Sequence, residues 1–168
     1  MKSIKRIFFL FTFFIIALSS KATHVFGAEF EWEEVGKDTF LISINVYRDC
    51  NGVNLSATPI NLRSSCGSMR LNTSRFLVGD VTPVCPSVDS RCKNSSSSFK
   101  YGIEQYRLVS TFIATTWRAN SCCNVNLSWS QCCRNGAITT GAANQNYYIE
   151  AEIDICETSE LQWNNPAI

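Results

Sequence analysis

Four stretches of this chain alternate apolar and polar residues with a period of two, a pattern that leaves few choices beyond a sheet. Ala28, Phe30 and Trp32 alternate with Glu29, Glu31 and Glu33, and Phe40, Ile42, Ile44 and Val46 with Leu41, Ser43, Asn45 and Tyr47. Later, Val125, Leu127 and Trp129 alternate with Asn126, Ser128 and Ser130, and Tyr147, Ile149, Ala151, Ile153 and Ile155 with Tyr148, Glu150, Glu152 and Asp154. Successive strand side chains point to opposite faces, so each stretch is expected to bury one face and wet the other. A weaker strand is expected from Tyr101 to Ala114, with shorter ones at Pro59–Arg63 and Met69–Leu71. No segment keeps a helical period for three turns. Gly36-Lys37-Asp38 reads as a hairpin, and Asp49-Cys50-Asn51-Gly52 as a tight turn in which Asn or Gly is available for positive φ. Strands punctuated in this way point to an all-β fold, an antiparallel β-sandwich of immunoglobulin-like architecture.

The first residues are of another kind. Lys2, Lys5 and Arg6 precede an apolar run from Ile7 to Leu18 broken only by Thr12, and small residues follow at Ser20 and Ala22. This is the pattern of a secretory leader, expected to be cleaved between Ala22 and Thr23. Its apolar run is well short of the ~20 residues a spanning helix needs. The expected mature chain is one domain, 23–168, with no membrane span. Loss of Lys2, Lys5, Arg6 and Lys21 takes the 15 basic residues to 11 against 14 acidic, a net charge of −3. A chain of that balance with no basic stripe is not expected to bind nucleic acid.

All nine cysteines lie beyond the leader: Cys50, Cys66, Cys85, Cys92, Cys122, Cys123, Cys132, Cys133 and Cys156. In an exported chain such density means disulfides, and the simplest arithmetic is four bridges and one free thiol. Connectivity stays open at this level. The first choices are Cys85–Cys92, closing a ring within the Pro-, Ser- and Cys-rich loop 81–98, and Cys50–Cys66. Cys156 is expected to join one of the doubled cysteines. Neighbouring cysteines rarely bridge each other, so Cys122-Cys123 and Cys132-Cys133 read as staples to separate partners. Zinc is not expected, because there is no Cys-x-x-Cys pair and the one histidine is His24.

No catalytic constellation stands out. His24 sits at the expected mature terminus, a poor place for a general base, and there is no Gly-x-Ser-x-Gly elbow. Glu29, Glu31, Glu33, Glu150, Glu152 and Asp154 are evenly spaced on wet faces, as solubility and edge protection alone would produce. A glycoside hydrolase would need one pair of them set apart. The turn at Asp49 has oxygen ligands but lacks the rest of an acidic calcium loop. Trp32, Trp117, Trp129 and Trp163 are candidate stacking platforms for a glycan, with core packing as the plainer role. No catalytic residue, cofactor or metal is expected.

Several short strings fall in a recognisable order. They are His24-Val25-Phe26-Gly27-Ala28-Glu29-Phe30, Val46-Tyr47-Arg48-Asp49-Cys50-Asn51-Gly52, Pro83-Val84-Cys85-Pro86, Tyr101-Gly102-Ile103-Glu104-Gln105-Tyr106 and Cys132-Cys133-Arg134-Asn135-Gly136-Ala137-Ile138. Together they resemble the N-terminal module of large Bacteroidetes surface proteins described as gliding-motility-associated or adhesin-like. That module usually opens His-Ile-Val-Gly-Gly-Glu and contains Tyr-Arg-Asp-Cys and Cys-Cys-Arg-Asn; Phe26 and Ala28 depart from it. The resemblance implies no catalytic residues. It implies a secreted or cell-surface protein of a Gram-negative bacterium, often exported by the type IX pathway. The expected function is a structural or adhesion module contacting other protein subunits or surface proteins, including self-assembly into an extracellular filament. A carbohydrate-binding module is the alternative, and a secreted glycoside hydrolase comes third. The strand bearing Phe30 and Trp32 is the candidate assembly strand, closing the sandwich edge or donated to a neighbour.

Overall fold

The computed structural model describes residues 25–99, 101–134 and 145–157. The expected leader with its Ala22–Thr23 junction, His24, residues 135–144 and Trp163 lie outside the described residues. In chain order the elements are β1 (Val25–Gly36), β2 (Thr39–Asp49), β3 (Ile60–Ser64), β4 (Gly67–Leu71), β5 (Ser74–Asp80), β6 (Ile103–Ile113), α1 (Thr115–Ala119), β7 (Asn124–Gln131) and β8 (Tyr147–Asp154). They form two four-stranded sheets, β1-β2-β6-β5 and β4-β3-β7-β8, with every neighbouring pair antiparallel. The β-sandwich expected from alternation is the fold.

Alternation also sets which faces meet. Phe30 pairs with Ile44 and Trp32 with Ile42, while Ile44 and Ile42 pair with Leu108 and Ser110 across β6. Phe30, Phe40, Ile42, Ile44, Val46, Leu108 and Phe112 are buried against Val125, Leu127, Trp129 and Ile153 of the second sheet. Removing one such aliphatic or aromatic side chain from water contributes about 1.5–3 kcal/mol, which is why parity decides the fold. Trp129 is fully buried, and its indole N–H donates to Thr58 Oγ1 at 2.8 Å, so its one polar atom is satisfied. The five-residue helix α1 brings Trp117 edge-on to Phe112, ring centroids 5.1 Å apart, and closes one end of the core.

Three local expectations are corrected. Ser43 and Asn45, on the supposedly wet face of β2, are buried. β2 is an inner strand, so side chains of β1 and β6 on both sides close over it. The turn after β2 uses neither Asn51 nor Gly52 at positive φ; Asp49 shapes it by accepting the Asn51 N–H at 2.9 Å. Positive φ occurs instead at Asp38 in the β1–β2 hairpin, at Ser121, and at Gly67 and Gly79. Finally, β5 has no counterpart among the expected strands.

Disulfide pairing departs further from expectation. The pairs are Cys50–Cys92, Cys66–Cys122, Cys123–Cys156 and Cys132–Cys133, leaving Cys85 free and exposed. Cys85–Cys92 does not form because loop 81–98 folds back over the end of β2 and carries Cys92 to Cys50. Cys50–Cys66 does not form because the two residues end strands of different sheets, and Cys66 lies beside Cys122 instead. Cys156 does join a doubled cysteine. Asn124 pairs with Asp154, so Cys123 falls level with the residues just past β8. Cys122 and Cys123 serve separate partners, as expected of adjacent side chains on opposite sides of an extended chain. Cys132 and Cys133 bridge each other, against expectation. β7 ends at Gln131, so the pleat that would turn them apart is no longer present.

Candidate functional site

The recognisable strings gather at one end of the sandwich. Val25 pairs with Arg48, Arg48 with Glu104, and Glu104 with Asp80, so β1, β2, β6 and β5 meet there in a single row. Arg48 is buried. Its guanidinium pairs with Glu104, donates to the carbonyls of Val53 and Cys50, and lies over the Tyr106 ring. Beside it Cys50 anchors loop 81–98 through Cys92, with Gly102 buried beneath the bridge. Asp80 holds the same loop, accepting from Ser90 and Thr82, while Thr82 Oγ1 accepts the Ile103 N–H at 2.8 Å. Burial disfavours the charged Asp80 carboxyl, but hydrogen bonds from Ser90 and Thr82 outweigh it and hold its pKa below the ordinary value. Across β1, the Val25 N–H donates to Cys133 O, and Arg134 lies over the Tyr147 ring. Every side chain singled out here has an internal partner. These residues hold the end of the sandwich together.

The outer face of the first sheet carries a second polar network. Glu29 accepts from Tyr47 at 2.8 Å, and Glu31 accepts from Asn45 at 2.7 Å and from Arg107 at 2.6 Å. Burial, and then the hydrogen bond to Glu29, push the Tyr47 hydroxyl up to about 12. At the hairpin tip Arg118 pairs with Glu34 and Asp38, each at 2.7 Å, and donates to the carbonyl of Ile155. The Arg118 guanidinium holds both carboxyls below their ordinary range.

Of the four candidate stacking platforms, Trp117 and Trp129 are buried and Trp32 packs against the core, the plainer of the two roles. Parity turns Trp32 and Trp129 inward from their strands, and α1 carries Trp117 against Phe112. Phe30 and Trp32 of the candidate assembly strand likewise face the core, while β1 itself closes the first sheet by pairing with β2. The one cluster of metal-ligand types among the described residues is Cys123, Asp154 and Cys156. There the two sulfurs are joined to each other, and Asp154 accepts the backbone N–H of Cys156 at 2.8 Å.

The feature missed by the sequence reading is β5. It is an edge strand, and Phe76, Leu77 and Val78 on it are 57%, 60% and 56% exposed. Leu77 is in register with the inward-facing Tyr106, and Phe76 with the outward-facing Arg107, so apolar surface lies exposed on both faces of the strand. Met69 of β4, paired with the buried Leu62, is also exposed. Three consecutive large apolar residues before a glycine were the available signal. Edge strands of this kind are ready templates for another strand.

Comparison with family models, with curated proteins and with solved structures finds no match. Among the described residues no helix is long and apolar enough to cross a membrane. Four cysteine pairs are what a chain matured in an oxidising compartment carries.

Proposed function

We propose that this protein is a non-enzymatic, secreted or surface-displayed module of a Gram-negative bacterium whose task is protein–protein contact. The observation that carries the reading is the β5 edge, an apolar strand open on both faces in a sandwich otherwise stapled shut. The resemblance to Bacteroidetes gliding-motility-associated and adhesin-like modules agrees with it. So does the use of most of the recognisable residues, which hold the fold and leave a frame carrying an open apolar edge. Filament formation at the cell surface belongs to the same reading.

Antibody labelling of intact cells, together with surface adhesion of a deletion strain, tests it. External label and an adhesion defect restored by the wild-type gene are expected. An exclusively periplasmic protein, or a deletion whose phenotype is loss of a hydrolytic activity, would overturn it.

A further inference from the structure

We propose that the chain assembles head to tail with copies of itself, the β4–β5 flank of one docking on the β1–β8 flank of the next. The inference rests on the reading of the protein as a contact module and names its partner, a second copy. Three observations carry it.

The first is strand direction. Each sheet has four strands, all antiparallel, so the two edges of a sheet run in opposite directions. β1 lies against β8, with the Ala28 N–H donating to the Tyr147 hydroxyl at 3.1 Å, which puts β4 and β5 together on the opposite flank. A copy displaced sideways without rotation therefore brings β5 antiparallel to β1 and β4 antiparallel to β8. Both sheets continue at once.

The second is charge. β1 contributes Glu29, Glu31, Glu33 and Glu34, of which Glu31 pairs with Arg107 and Glu34 with Arg118; β8 contributes three further carboxylates, and neither strand has a lysine or arginine of its own. On the other flank β4 carries Arg70 and β5 carries Arg75 against one carboxylate, Asp80, a net charge of +1. Two acidic flanks repel each other, and so do two cationic ones. Unlike flanks attract, which selects a heterologous contact over a two-fold dimer.

The third is space. The start of β1 is already covered, by the bridge from Val25 to Arg134 and by Tyr147. From Phe30 to Gly36 its outer edge has no strand neighbour among the described residues, a length matching β5. The bulge of β5 falls between Leu77 and Gly79, leaving Ser74–Leu77 a regular ladder for pairing. Because the contact is made by displacement, it does not close on itself and gives an open chain of copies.

The test compares the secreted, disulfide-bonded protein with two variants by sedimentation velocity over a concentration series. Phe76→Thr/Leu77→Thr removes the apolar surface of the β5 edge while keeping its strand propensity, and Glu33→Lys/Val35→Lys reverses the charge of the β1 edge; all four positions are exposed, and circular dichroism confirms folding. The wild type is expected to form oligomers that grow with concentration without a fixed size. Each variant alone is expected to associate more weakly by a factor of about ten. An equimolar mixture of the two, with one intact flank from each, is expected to form dimers and stop there. A closed wild-type dimer, variants that assemble like the wild type, or a mixture no more associated than its components would overturn the inference. A wild type that stays monomeric while still labelling the cell surface and supporting adhesion would overturn self-assembly alone.

Discussion

Gly102 lies buried directly under the Cys50–Cys92 bridge, and Gly102→Ala measures how tightly that bridge is seated. A Cβ added there would stand 2.6 Å from Cys50 Sγ, 2.5 Å from Cys92 Sγ and 2.8 Å from the Cys92 backbone nitrogen, against 3.4–4 Å for ordinary contact. These neighbours are a cross-link and a backbone atom, neither of which swings aside as the end of a long side chain would. Overpacking of this kind costs about 1–3 kcal/mol. Against it stands the reduced freedom of the unfolded chain, worth about 0.4–1 kcal/mol in favour of alanine. The net expectation is a loss of roughly 1–2 kcal/mol in the oxidised protein. In a Cys50→Ala/Cys92→Ala background both sulfurs are gone and the backbone at residue 92, no longer tethered to residue 50, is free to shift off the added Cβ, so the same substitution should be close to neutral or mildly stabilising. That background itself loses up to about 4 kcal/mol by loop-closure entropy over the 42-residue separation. Urea unfolding of the four proteins of the cycle, at matched m values, gives the coupling directly. An equal penalty in both backgrounds, or stabilisation of the oxidised protein by Gly102→Ala, would refute the placement of the bridge over Gly102.

Three further outcomes are expected. Native protein treated with a thiol reagent should report one reactive thiol per chain, and peptide mapping should place it at Cys85; reactivity at Cys92 would contradict the pairing. In an alkaline absorbance titration Tyr47 should resist ionisation up to about pH 12, and Glu29→Gln should lower that value by removing the charge of its acceptor. Glu34 and Asp38 have folded pKa values below their ordinary 4.5 and 3.8, so their contribution is present above those values and is lost as pH falls through the lower folded ones. Arg118→Met should therefore flatten the acid limb of a stability-against-pH profile, and an unchanged slope would show that the Arg118 cluster contributes nothing to it.

What was legible in the sequence was whatever burial imposes on it. β1, β2, β7 and β8 each bury one face against the opposing sheet, and the inward residues could be named in advance from parity. The buried Ser43 and Asn45 were not legible, because their shelter comes from Glu29, Glu31 and Arg107, side chains on neighbouring strands whose register alternation does not specify. Disulfide pairing failed for a related reason. Nearness along the chain favoured Cys85–Cys92, whereas the bridge that forms depends on a loop folding back over a distant turn. The pairing of Cys156 with a doubled cysteine was within reach, because both lie at the ends of strands that alternation had already located.

The β5 edge escaped notice for the reason that makes it a contact surface. Alternation is written by a strand with one dry face and one wet face. Phe76-Leu77-Val78 instead has the consecutive apolar run of a strand dry on both faces, as in the interior of a larger sheet assembly. In the single chain those three residues are all more than half exposed, so the described residues do not supply the environment that this run describes. Soluble proteins commonly blunt such edges with charge, proline or a twist. Here the flank of β1 and β8 carries carboxylates, while Ser74–Leu77 of β5 has only Arg75, whose guanidinium is drawn over the Tyr106 ring and onto the carbonyl of Leu55. One edge is therefore acidic and the other apolar. That asymmetry favours a contact between unlike edges, in which the residues that spoil the period-two pattern gain their second dry face.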